Sequence, residues 1–345
     1  MLRKYLEGWF PILSSIGGRI VYLDGFAGPG VYNSGDEGSP IIALRTAVEH
    51  KLMEKFREIR FLFIERRIDR AEKLKQVIAE TFPDLPDSIK YEVIGGEFEE
   101  TLREGLDELE KTGNRLAPCF AFIDPFGYTG FSMELLQKLL SHEKCEVFIT
   151  FMSGFVKRFL DDGKEEALDG LFGTGEWREI RDIEGYRDQP LLDLYIRQLK
   201  KCCDIKYMSS FKMIGKHNQV IYHLIFCTKH IRGLDLMKRA MWNVDRTGDY
   251  KFSDRDAPGQ TYIFDYQDES HWIPTAADNI YDKFKGLTVG VSEIEEFVIA
   301  ETEYIFKKAI LKYIENSKPE YILYISNRNR RGTFPSGCTI TFTSE

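Results

Sequence analysis

Short, nearly unbroken apolar runs at 19–23, 59–64, 119–123 and 146–151, and a mixed one at 90–94, alternate with longer stretches in which apolar residues return every three or four positions. Unbroken runs bounded by turn residues predict strands buried on both faces, and the longer spacing predicts amphipathic helices. The helices fall at 2–15, from 39 to about 50–56, and at 68–82, 102–109 and 132–140; the first carries Leu6, Trp9, Phe10 and Leu13 on one face. Gly38-Ser39-Pro40 marks a helix start, with Ser39 placed to cap free amides and Pro40 suited to the first helical position. Strand–helix alternation of this kind predicts a parallel, doubly wound α/β sheet.

Beyond 151 the rhythm changes. A polar stretch rich in Asp, Glu and Gly reads as an insertion at 155–190. A helix at 191–202 follows, then strands at 205–214 and 220–227 joined by Gly215-Lys216-His217-Asn218, a hairpin turn, and a helix at 234–243. The region 246–290 is polar and broken by Ala257-Pro258-Gly259, and reads as linker or loop. Ser292-Glu293-Ile294-Glu295 has the form of a capping box, with Ser292 as cap and Glu295 reaching back. Helices to about 316 and strands at 321–325 and 339–342 flank an arginine-rich tip, which suggests a winged-helix-like α+β domain over 291–345. The expected organisation is thus a large α/β domain over 1–245, a linker, and this small unit.

Composition narrows the function. The chain has 345 residues, 43% of them hydrophobic, enough core for these units. A formal net charge of −8 argues against a basic field that would attract any nucleic acid, though not against a local basic patch. No apolar run is long enough to span a bilayer, and Met1-Leu2-Arg3-Lys4 opens into an amphipathic stretch rather than a signal peptide, so a cytoplasmic location is expected. Cys119, Cys145, Cys202, Cys203, Cys227 and Cys338 form no CxxC pair and read as reduced thiols; the histidines lack ligand spacing, and no metal is expected.

Two strand ends carry the candidate chemistry. The first is Asp24-Gly25-Phe26-Ala27-Gly28-Pro29-Gly30. A dinucleotide fingerprint would need glycine where Asn33 stands, and no P-loop motif is present. What remains suits S-adenosylmethionine, which needs a small-residue turn, from Gly28 and Gly30, and an acid near its ammonium group, for which Asp24 is the candidate. Phe26 belongs to the same loop. Glu65, ending the next strand, is placed to accept the ribose hydroxyls, and Glu97, after the third, to line an adenine site. The competing reading is an ordinary set of strand-end turns, where Gly and Asp are common. Arg66, Arg67 and Arg70 are expected to pair with Glu65, Asp69 and Glu72 on the helix surface.

The second is Asp124-Pro125-Phe126-Gly127-Tyr128 after the fourth strand. Enzymes that methylate exocyclic base amines often carry an acid or amide, Pro-Pro and an aromatic here; this form looks like the motif of tRNA guanine-N2 dimethyltransferases. By that resemblance Asp124 orients the amine with help from the Pro125 backbone, and Phe126 or Tyr128 stacks on the base. A hairpin closing an otherwise parallel sheet is likewise a Class I methyltransferase feature.

With Gly38-Ser39-Pro40, Ile123-Asp124-Pro125-Phe126-Gly127 and Arg330-Arg331-Gly332-Thr333-Phe334-Pro335 added to the first loop, nearly the whole chain resembles the three-Cys-motif partner (TcmP) family. The resemblance implies a methyltransferase-like fold and a partner bearing a three-cysteine motif; it implies no substrate. Arg328, Arg330 and Arg331 at the hairpin tip, with Lys307, Lys308 and Lys312 nearby, are candidates for contact with RNA or DNA, or with protein. Three functions stay open: a base methyltransferase, a non-catalytic or cofactor-binding subunit that docks the partner, and a methyltransferase for protein or small molecules.

Overall fold

These runs become the parallel strands of one sheet. In the computed structural model, which describes residues 1–16, 18–127, 129–160, 163–215, 217, 219–245, 249–253 and 269–344, these are β1 (Arg19–Asp24), β2 (Glu58–Glu65), β3 (Ile89–Gly95), β4 (Cys119–Ile123) and β5 (Cys145–Phe151). All of β4 and β5 is buried, as is β1 after Arg19. A strand covered on both faces has no solvent side, so polar alternation is absent. Helix α1 (Leu2–Ser14) precedes β1; α2 (Ser39–Val48), α3 (Ile68–Thr81), α4 (Phe98–Thr112) and α5 (Met133–Leu140) connect the strands.

Neighbours among β1–β5 pair in parallel. The hairpin of β6 (Tyr207–Ile214) and β7 (Val220–Thr228) closes the sheet, with β7 antiparallel to β5. The order is β3-β2-β1-β4-β5-β7-β6, followed by the short β8 (Lys251–Ser253). This is the Rossmann-like, Class I methyltransferase arrangement. The order reverses between β1 and β4, and ligands of open α/β sheets bind outside the carboxyl ends of strands at such a switch point.

The opposite, amino-terminal end of β5 is held by a polar staple. Buried Glu146 accepts hydrogen bonds from the Tyr5 hydroxyl at 2.7 Å, Trp9 Nε1 at 2.8 Å and the Thr228 hydroxyl at 2.6 Å. It ties α1 and β7 to the centre of the sheet. Burial raises its pKa, and these donors oppose the rise.

Several elements differ from the sequence reading. Among the described residues of 155–190 there are helices: α6 (Ser153–Phe159), α7 (Glu165–Phe172) and α8 (Trp177–Arg181) lead into α9 (Asp188–Cys202). Leu168, Leu171, Phe172 and Trp177 join the main core, so this is not a polar excursion from it. Ser39 is the first residue of α2 and caps nothing; Gly38 holds the cap position.

The chain divides into two compact units, one built on Met1–Gly233, the other on Leu234–Phe252 and the C-terminal part. Helix α10 (Ile231–Trp242) contributes to the second from Leu234 onward. Then come α11 (Ile273–Phe284), β9 (Thr288–Gly290), α12 (Val291–Glu301), α13 (Lys308–Ser317), β10 (Ile322–Ser326) and β11 (Thr339–Phe342). The strands form an antiparallel sheet in the order β10-β11-β9. Helix α11 lies inside the region expected as linker, with Ala276, Ala277 and Ile280 buried. At α12 the back-reaching acid is Glu293, which accepts from Gly290 N at 2.8 Å, two positions before the expected Glu295. Among the described residues, no helix is long and apolar enough to cross a membrane.

Candidate active site

Past Asp24 the chain turns across the carboxyl ends of its neighbours: Gly25 N donates to Phe122 O and Ala27 N to Ile64 O, both at 2.9 Å. Gly28 N then donates to one Glu65 carboxylate oxygen at 2.8 Å, and Arg67 N donates to the other at 2.8 Å. Glu65 therefore clamps the first loop to the second. Gly30 sits at φ +84°, where a Cβ would lie 2.8 Å from Leu74, so the turn demands glycine both for its backbone and for its approach to α3. Gly38 N closes the loop on Gly30 O at 2.7 Å.

Asp24 is fully buried beneath this loop. Phe26 N and the Tyr22 hydroxyl each donate to it at 3.3 Å, and the Ser39 hydroxyl bonds it as well. That is the use the fold makes of Ser39 instead of capping. Burial, reinforced by the Asp124 carboxylate, pushes the Asp24 pKa up to about 7 against the pull of these donors. Asp124 is half-buried, and burial raises its pKa too, with Thr150 acting in the opposite sense. The two strand ends thus bring two carboxylates into each other's field (like charges that disfavour joint ionisation). Tyr32, from the loop after Gly30, lies in the same field: burial first, then Asp124 and Asp24, raise its pKa. Nothing in its local sequence marked it; the fold of the loop carries it there.

A cavity of about 690 Å³ opens at the carboxyl edge. Gly25, Phe26 and Phe98 line it together with Glu65 and Glu97, and Phe126 stands at its rim. Phe26 packs on Phe98 with ring centroids 5.3 Å apart. Of the residues picked out in sequence, Phe26, Glu65, Glu97 and Phe126 reach the cavity. Gly28 and Gly30 shape the loop behind it, Asp124 and the buried Pro125 stand outside its lining, and Tyr128 falls outside the described residues. Asp24 is a correction: its carboxylate faces the protein interior rather than an exposed ligand surface, because the loop folds over it.

Of the three arginines after β2, Arg67 pairs as expected, while Arg66 and Arg70 do not. Arg66 Nε pairs with Glu97 at 2.7 Å, not with Glu65, whose oxygens each accept one backbone amide. Arg67 pairs with Asp69 at 2.7 Å. Arg70 lies over the Phe126 ring, 5.9 Å from its centroid. Phe126 is 81% exposed, and the chain behind it is fixed by Gly127 N donating to Met152 Sδ at 3.2 Å.

At the C-terminal hairpin the three arginines separate. Arg328 is mostly covered, pairs with buried Glu315 at 2.6 Å and lies 5.7 Å over the Phe334 ring. Arg331 turns to the same Glu315 at 3.6 Å, and Gly332 N donates to it at 2.9 Å. These contacts bind the hairpin loop to α13. Arg328 is thus a structural cation rather than a free one at the tip, while Arg330 is exposed.

No protein-family model matches the sequence, and no curated protein matches it. Solved structures with similar folds include protein LPL1258 from Legionella pneumophila, of family DUF519 (10% identity, 70% of this chain and 91% of that one, TM-score 0.37). Others are PKMT2 from Rickettsia typhi in complex with AdoHcy (11%, 91% and 72%, TM-score 0.30) and a SAM-dependent methyltransferase from Methanosarcina mazei (11%, 61% and 92%, TM-score 0.28). At these scores the likenesses carry no argument.

Proposed function

We propose that this chain is an S-adenosylmethionine-dependent methyltransferase acting on an exocyclic amine of a nucleic-acid base. The observation that carries the reading is one cavity, at the switch point of a Class I sheet, bounded by Glu65 at the end of β2 and Glu97 just after β3, and rimmed by the exposed aromatic that follows Asp124-Pro125. The residues fit the cofactor. Glu65, fixed by its two amide donors, keeps lone pairs for ribose hydroxyls, Glu97 stands at the adenine end, and Phe26 and Phe98 give an apolar wall. The cofactor supplies an electrophilic methyl group on a sulfonium. Asp124 accepts a hydrogen bond from the acceptor amine, and Phe126 stacks on the base, so that alignment does most of the work. Asp24 supports this site from beneath.

The test is calorimetric titration with S-adenosylhomocysteine, beside a radiolabelled-methyl assay on total RNA and DNA. Binding by the wild type is expected. Asp124→Ala should keep that binding and lose methyl transfer by a hundredfold or more, on the order of 3 kcal/mol of barrier. An Asp124→Ala enzyme that methylates at the wild-type rate removes the assignment.

A second reading is favoured by β10, where Leu323 and Tyr324 are 71% and 64% exposed beside the TcmP-like Arg330–Pro335 segment. In that reading the chain is a TcmP-family subunit whose winged-helix-like C-terminal unit docks a three-Cys-motif protein, with Arg330 as a contact. Its helix–strand–helix–helix–strand–strand order supports the winged-helix description. Co-expression with such a protein should yield a complex weakened by Tyr324→Glu; no association removes this reading and leaves the first untouched.

A further inference from the structure

Arg70 and Arg158 differ from the cations around them. Arg66, Arg67 and Lys157 pair with Glu97, Asp69 and Asp188. Among the described residues, neither Arg70 nor Arg158 is paired with a carboxylate; each guanidinium lies over a ring face, Arg70 over Phe126 at 5.9 Å and Arg158 over Phe155 at 5.5 Å. Phe126 is largely exposed and Phe155 37% exposed, and Phe155 lies against the residue that follows Phe126, since a Cβ on Gly127 would stand 3.9 Å from its ring. Phe155 is backed by Phe159, with centroids 6.2 Å apart and planes at 24°.

We propose that Phe126 and Phe155, each with its arginine, form a two-step ledge for an unpaired nucleic-acid strand passing the mouth of the cavity. This rests on the methyltransferase reading and names the form of its substrate. Flat exposed rings take base faces, which a duplex keeps hidden in its stack. Guanidiniums without carboxylate partners take phosphates. Phe126 receives the target base beside Asp124, and Phe155 a neighbouring base. Because the chain is acidic overall, the attraction is local, and about two phosphate contacts give a shallow salt dependence, with a slope near −1.4 for a single strand.

The experiment is fluorescence anisotropy with labelled mixed-sequence RNA and DNA strands of about twelve nucleotides, single and duplex, across a salt series. The single strands are expected to bind the full chain at least about tenfold more tightly than the duplex. Phe155→Ala and Phe155→Leu should each weaken them by about five- to a hundredfold, the range set by loss of one stacked base. The Leu variant keeps apolar packing against Phe159 and so separates stacking from misfolding. Arg158→Gln should lower the salt slope by about 0.7. Equal duplex binding, variants that bind like the wild type, or binding of polyglutamate but of neither strand overturns the ledge. Titration of S-adenosylhomocysteine into the same samples separates the two failures: cofactor without strand removes the ledge alone, and strand without cofactor removes the methyltransferase reading alone.

Discussion

Burying Asp24 beneath the first loop gives the fold a pH dependence. Its pKa of about 7 lies above the ordinary 3.8, so the folded chain holds a proton that the unfolded chain releases across that interval. Its contribution is fully present below about pH 4 and is lost as pH rises through about 7. Urea unfolding at pH 5 and pH 8 should show the wild type losing about 2–3 kcal/mol more than Asp24→Asn over that range; parallel curves contradict the assignment. Glu65 needs a similar distinction. Since it accepts two backbone amides, Glu65→Ala strands both donors and should cost about 2–5 kcal/mol of stability, confounding any loss of ligand. Glu65→Gln retains an acceptor and is the informative variant: calorimetry should show weaker S-adenosylhomocysteine binding with most of the stability kept. Sequence alone could place Asp24 and Glu65 at strand ends. It could not show that one is sealed over and the other clamps a loop, because both outcomes depend on where a distant segment crosses.

Elements are secured by a few polar contacts in apolar surroundings. Tyr5→Phe removes one donor from buried Glu146, and the loss should lower stability by about 1–3 kcal/mol in denaturant titration. In the second unit, Lys238 of α10 is buried and its ammonium donates to the carbonyls of Val298, Ile299, Thr302 and Tyr304 at 2.7–3.2 Å. It satisfies the last turn of α12, whose carbonyls have no partner within the helix. Burial draws its pKa down to about 7, opposed by Asp235 and Glu303. Lys238→Met should lower the melting transition of this unit, at a cost of at least about 2 kcal/mol, in differential scanning calorimetry. The inner strands and first five helices were legible from apolar spacing. Helix α11 was legible too: Ile273, Ala276, Ala277, Ile280, Tyr281 and Phe284 recur at helical period, but the polar composition before them suggested a linker. Helices α7 and α8 were not, since each is short and its few apolar residues sit among charges that face solvent. The capping acid of α12 was misplaced by two residues because Gly290, with no side chain to signal a cap, holds the cap position.

Across the whole molecule, protection should be greatest in β1, β4 and β5, which the sheet and its helices cover on both sides; hydrogen exchange that is faster there than in the edge strand β3 contradicts the topology. The sequence by itself determined the α/β class, the parallel inner strands, the closing hairpin and the Asp that ends or follows β1 and β4, because periodicity, glycine turns and strand ends are local properties of the chain. Only the tertiary structure decided which of those groups meet. It set Asp24 and Asp124 in one field, placed Tyr32 beside them, gave Arg66 to Glu97, and left Arg70 on Phe126 at the cavity's edge and Arg158 on Phe155. Those pairings join segments far apart in sequence, and their geometry is fixed by how strands register and loops cross rather than by any short stretch of residues.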